Sequence, residues 1–133
     1  ELDISDFEYR LGQRSPEKLV LRFDWSDNWG TMRYYTDHPF LSERVAHWLV
    51  KRGLRLLAMD TPQIENPKNG RGAPQDSPLH KIFLGQGIIL VENLCNLRAL
   101  QQEEIELFVL PLKIKEGDGA PARCIALERT SVG

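Results

Sequence analysis

The chain has 133 residues, 17 Lys plus Arg against 19 Asp plus Glu, a formal charge of −2, 41% hydrophobic and 27% charged residues. That is one domain's worth of chain with enough apolar residues for a core, which excludes a disordered or fibrous protein. The weak negative charge argues against a general nucleic-acid or anionic-membrane binder, because phosphate surfaces demand a positive partner. The two cysteines, Cys95 and Cys124, are too few for a disulfide scaffold and read as buried thiols of a reducing compartment. No basic-then-apolar leader opens the sequence, and no apolar run approaches the roughly 20 residues of a membrane helix, so a cytoplasmic location is expected.

In chain order, Ser5 followed by Glu8 predicts a short capped helix. Residues 18–23 (KLVLRF) read as a buried strand, apolar at the centre and charged at the flanks. The stretch 24–40 is irregular and aromatic, holding Trp25, Trp29, Tyr34, Tyr35 and Phe40, a composition suited to a loop tucked over the core, a subunit contact or a substrate wall. Residues 42–52 form the most secure helix: Ser42 caps it, Val45, Trp48 and Leu49 share one face with Leu41, and Gly53 stops it. A strand at 54–59 follows at once, so strand, helix and strand predict a parallel pair with a right-handed crossover.

Residues 60–78 carry four of the eight prolines and two glycines, which suit neither helix nor strand. An irregular stretch of that length is usually functional or mobile. It ends at Asp76-Ser77-Pro78, a helix start with a cap candidate and proline in the first turn. A short helix over 79–84, a strand at 88–91, a helix at 96–104, a strand at 106–114 with Pro111 marking an edge or bulge, a turn at 116–119 and a strand at 123–127 complete the expectation. The class is α/β with mixed strand pairing in a single domain over 1–133.

Phosphate-cradling glycine loops, a GxSxG elbow and metal-finger cysteine spacing are all absent from the sequence. Of the three histidines, His47 lies mid-helix and His38 in the aromatic loop, where packing roles suffice. His80 differs, because it sits in the first turn after the Pro/Gly stretch, and Glu92 ends an all-apolar strand twelve residues later. The C-terminal end of such a strand is where open α/β sheets gather ligands. A carboxylate desolvated there needs a cation or hydrogen bonds, which leaves a metal site and a buried hydrogen-bonded pair both open.

Several segments then fall into a known order: Gly53-Leu54-Arg55-Leu56-Leu57-Ala58-Met59-Asp60-Thr61-Pro62, Pro78-Leu79-His80, Ile89-Leu90-Val91-Glu92-Asn93-Leu94, Leu110-Pro111-Leu112-Lys113-Ile114 and Asp118-Gly119-Ala120-Pro121-Ala122-Arg123, with Ile4-Ser5-Asp6-Phe7-Glu8 ahead of them. Together they resemble the cyclase family of metal-dependent hydrolases, which includes bacterial kynurenine formamidases and isatin hydrolases. The resemblance implies a swivelling β/β/α fold with a mixed sheet, a homo-oligomer, and a divalent metal, zinc or manganese. It matches His80 and Glu92 to the family's later metal-binding histidine and glutamate. The family's HxGTHxDxP motif, which supplies further ligands and a nearby histidine base, has no counterpart here; His38-Pro39 corresponds to another segment. The chain therefore resembles the C-terminal portion of a family member, without the N-terminal part.

The function implied is hydrolysis of a C–N amide bond in a small molecule, an aryl formamide or a cyclic amide, with no catalytic base in this chain and with a complementary N-terminal segment or chain completing the site. Asp60, at a strand end, is a candidate for hydrogen bonding within the site or for a turn role. The rival expectations are a degenerate, non-catalytic homologue acting as a structural or regulatory subunit, and a small binding module holding no metal.

Overall fold

The structure, a computed structural model, describes residues 1–69 and 76–129. They fall into two compact units divided after Leu97.

The first unit is a three-stranded parallel sheet with helices. It runs α1 (Ile4–Leu11), β1 (Lys18–Leu21), a 3-10 turn (Trp25–Asn28), α2 (Met32–Thr36), α3 (Glu43–Lys51), β2 (Leu56–Met59), α4 (Pro78–Gly85) and β3 (Ile89–Val91). The sheet order is β1-β2-β3, with Val20 opposite Ala58 and Ala58 opposite Val91. As the central strand, β2 is covered on both faces, so Leu57, Ala58 and Met59 are all buried; that is why it reads as an unbroken apolar run. The crossover helices α3 and α4 pack on one another, as two connections stepping the same way across a sheet require. Val45, Leu49, Leu57, Leu79, Phe83 and Ile88 form the centre of the core, and Phe7 from α1 meets Trp48 of α3 at 6.2 Å between rings.

Local chemistry sets the boundaries. The Ser42 hydroxyl accepts from the Val45 N–H and caps α3. Gly53, at φ +84, turns the chain so that the Arg55 N–H reaches the Glu17 carbonyl and β2 begins beside β1. In α1 the cap is Asp3 rather than Ser5, and the Asp3 N–H donates to the Asp6 carboxylate. The aromatic stretch is less irregular than expected, since it contains both the 3-10 turn and α2.

In the second unit, β4 (Glu106–Pro111) and β5 (Ala122–Leu127) form an antiparallel hairpin. The expected mixture of parallel and antiparallel pairing is thus present, divided between two sheets. Every strand of a two-stranded sheet is an edge, so Pro111 is accommodated. One hairpin face carries the exposed Phe108, Leu110, Ile125 and Leu127. The helix expected at 96–104 is instead a 3-10 turn, Leu97–Ala99. The N–H groups of Gln101 and Gln102 donate to the Glu128 carboxylate rather than to helical carbonyls, and Asn96 takes a φ of +60. The cysteines also depart from expectation: both are free thiols, but Cys95 is exposed and Cys124 half-buried. Among the described residues no helix is long and apolar enough to cross a membrane.

Candidate metal centre

The C-terminal edge of the parallel sheet carries the polar residues of interest. The chain leaving β3 is fixed there by two backbone bonds, Asn93 N–H to the Thr61 carbonyl at 2.9 Å and Leu94 N–H to the Met59 carbonyl at 3.0 Å. Glu92 lies between the buried Val91 and this clamp, with its side chain 24% exposed.

His80 arrives from α4 as its third residue. The Ser77 hydroxyl, expected as a cap, donates to Asp76 Oδ1 instead, and Ser77 adopts a left-handed backbone with φ 54. The orphan donor at the start of α4 is met from a distance: the His80 N–H donates to Glu65 Oε1 at 2.8 Å. The same oxygen lies 2.9 Å from His80 Nδ1. Glu65 is nearly sealed, 3% exposed, and its Oε2 is buried without a partner.

On the other side of the ring, His80 Nε2 lies 3.3 Å from Glu92 Oε1. The two residues singled out from the sequence therefore converge. Their contact is ionic in distance but not an aligned hydrogen bond, for Glu92 Oε1 is buried with no aligned donor. The two carboxylates, Glu65 first and then Glu92, outweigh burial and push the His80 imidazole up to about 9.

Those atoms fit a shared cation. Nitrogen and oxygen ligands at about 2.0–2.2 Å from a tetrahedral zinc stand roughly 3.3 Å apart, and Nδ1 bonded to a carboxylate leaves the Nε2 lone pair for the metal. Two ligands do not complete a site, however. Among the described residues no group of three or more His, Cys, Asp or Glu is placed to hold a metal ion.

The other sequence candidates lie as follows. Asp60 is fully buried, and each carboxylate oxygen accepts one backbone bond at 2.9 Å, Oδ1 from Phe23 and Oδ2 from Trp25. It ties the loop after β1 to the end of β2. His47 is exposed on α3. His38 is 2% exposed; its Nδ1 lies 3.0 Å from the Pro39 carbonyl, its Nε2 is buried without a partner, and burial lowers its pKa. Trp25 donates from Nε1 to the Tyr34 carbonyl, whereas Trp29 is mostly exposed. Glu65 is the site residue that sequence reasoning missed. No spacing rule links it to His80 across fifteen residues of chain; the available signal was a carboxylate beside the apolar Ile64 in a proline-rich stretch.

Residues 2–66 match the family described as "Putative cyclase". Kynurenine formamidase of Bacillus cytotoxicus is 34% identical over 110 residues, covering 82% of this chain and 48% of that protein. Kynurenine formamidase of Erythrobacter litoralis is 26% identical over 136 residues, covering 100% of this chain and 56% of its own. In fold, the chain is similar to an isatin hydrolase solved with the product analogue thioisatinate, at a TM-score of 0.80 and 22% identity, covering 97% of this chain and 53% of that one. Isatin hydrolase A from Ralstonia solanacearum gives 0.77 and 23%, covering 94% and 52%. The fold is that of the matching half of the isatin hydrolases, and these matches support identification of the chain with the cyclase family. It spans about half the length of the relatives it matches.

Proposed function

We propose that this chain is the part of a metal-dependent amide hydrolase that carries His80 and Glu92 as ligands of a divalent cation, zinc or manganese. The observation that carries the reading is the 3.3 Å approach of His80 Nε2 to a buried Glu92 oxygen that has no aligned donor. The names of the relatives support an aryl formamide or a cyclic amide as substrate. When bound, such a cation supplies Lewis acidity toward a carbonyl and lowers the pKa of water. This chain's own residues place and orient the two ligands: β3 and the Asn93–Thr61 bond set the Glu92 backbone, and α4 sets His80. Further ligands and the general base come from a segment outside this chain or from a second subunit, homo-oligomeric or complementary.

A second reading, a non-catalytic homologue with a structural or regulatory role, is favoured by the lack of a third ligand among the described residues. Hydrolysis of an aryl formamide and of isatin separates the two. It is measured with zinc or manganese, for the chain alone and mixed with the part of the Bacillus cytotoxicus relative that this chain does not span. The hydrolase reading expects metal-dependent turnover only in the mixture. Absence of turnover, in a mixture where the relative's own two parts are active together, overturns it.

A further inference from the structure

We infer that Glu65 is a positioning residue for His80, holding the imidazole with its proton on Nδ1 so that the Nε2 lone pair faces Glu92. The inference rests on the reading of His80 and Glu92 as a cation site and adds a residue to it.

The geometry separates two tasks performed by one oxygen. Glu65 Oε1 takes the His80 N–H at 2.8 Å, which satisfies a donor at the start of α4 and fixes the backbone. It also takes Nδ1 at 2.9 Å, which fixes the ring. A carboxylate only accepts, so in the neutral ring the proton must sit on Nδ1. With Nδ1–H committed, Nε2 presents a lone pair at 3.3 Å from Glu92 Oε1, itself an acceptor. Two acceptors at that separation repel unless a proton or a cation stands between them. The arrangement therefore holds an electron-rich pair open for a positive charge. Glu65 is suited to this because its side chain is 4% exposed, so water does not compete for the bond and the carboxylate cannot swing away. A residue serving only as a helix cap needs the backbone bond and not the ring bond.

The test uses the metal-free chain and two variants, Glu65→Gln and Glu65→Leu. The nitrogen NMR spectrum of His80 in alkaline solution, where the ring is neutral, reports the tautomer. Zinc and manganese titrations report affinity, and amide exchange of the His80 N–H reports the cap. Expected is Nδ1–H in the parent, retained in Glu65→Gln, whose amide oxygen still accepts, and shifted toward Nε2–H in Glu65→Leu. Cation affinity should fall about tenfold or more in Glu65→Leu and less in Glu65→Gln. If Glu65→Leu alters only the exchange of the His80 N–H, leaving tautomer and affinity unchanged, Glu65 is merely a cap and the inference is overturned. If Glu65→Leu does not fold, a Glu65→Gln chain with a weakened affinity supports the inference, whether its tautomer is kept or shifted, and one with the parent's affinity overturns it. A parent that binds neither cation unaided counts against a two-ligand site in this chain and not against the hydrolase reading, which is decided by turnover in the mixture; the tautomer then decides the role of Glu65, Nδ1–H supporting it and Nε2–H overturning it.

Discussion

The Tyr34 hydroxyl donates to Asn93 Oδ1 at 2.9 Å, joining α2 to the residue that follows Glu92. Tyr34 is 1% exposed, and burial pushes its hydroxyl up to about 12, so it remains a donor throughout the accessible pH range. Replacing it by phenylalanine keeps the ring's packing against Trp29 and Tyr35 and removes one hydrogen bond. Tyr34→Phe should cost about 1 kcal/mol in urea unfolding with an unchanged denaturant slope. An unchanged midpoint would show that the bond adds nothing over hydration.

Asp60 fastens the loop after β1 to the end of β2. Its two oxygens each hold one backbone N–H, and an asparagine offers only one acceptor while turning an amide donor toward the other N–H. Asp60→Asn should therefore cost about 1–3 kcal/mol, measured as a loss of unfolding free energy. A substitution that leaves stability intact while abolishing cation binding would place Asp60 in the site instead.

The half-buried His80 and the buried His38 give opposite pH dependence. His80 is raised from its ordinary 6.5 to about 9, chiefly by Glu65 and then Glu92. In the metal-free chain its contribution to stability is complete below pH 6.5 and disappears as pH rises through 9. His38 is lowered by burial, so its contribution is present above 6.5 and is lost as pH falls through its depressed value. Thermal melting of the metal-free chain should accordingly show a decline on the alkaline side that is absent in His80→Gln. An alkaline decline of equal size in that variant would assign it elsewhere.

Much of the first unit was legible because its signals are local. Ser42 and Gly53 bracket α3, the apolar run of residues 56–59 marks a strand covered on both faces, and the strand–helix–strand order dictates parallel pairing. The convergence of His80 and Glu92 was reachable through the resemblance of short segments, not through spacing. What escaped notice depends on long-range partners. Glu65 takes over the start of α4 where Ser77 was the obvious cap, and Glu128 draws off the N–H groups that a helix at 96–104 needs. A side chain that meets its backbone partner fifteen or more residues away leaves no periodic trace in the sequence.

Cation binding itself is tested most directly by titrating manganese into the isotopically labelled chain and following which NMR signals broaden, a readout sensitive even to a site with two ligands. Broadening centred on His80 and Glu92, and lost in a folded Glu92→Gln chain, is the expected result. Broadening scattered over surface carboxylates, or a pattern that Glu92→Gln leaves unaltered, would contradict the assignment of these two residues as cation ligands.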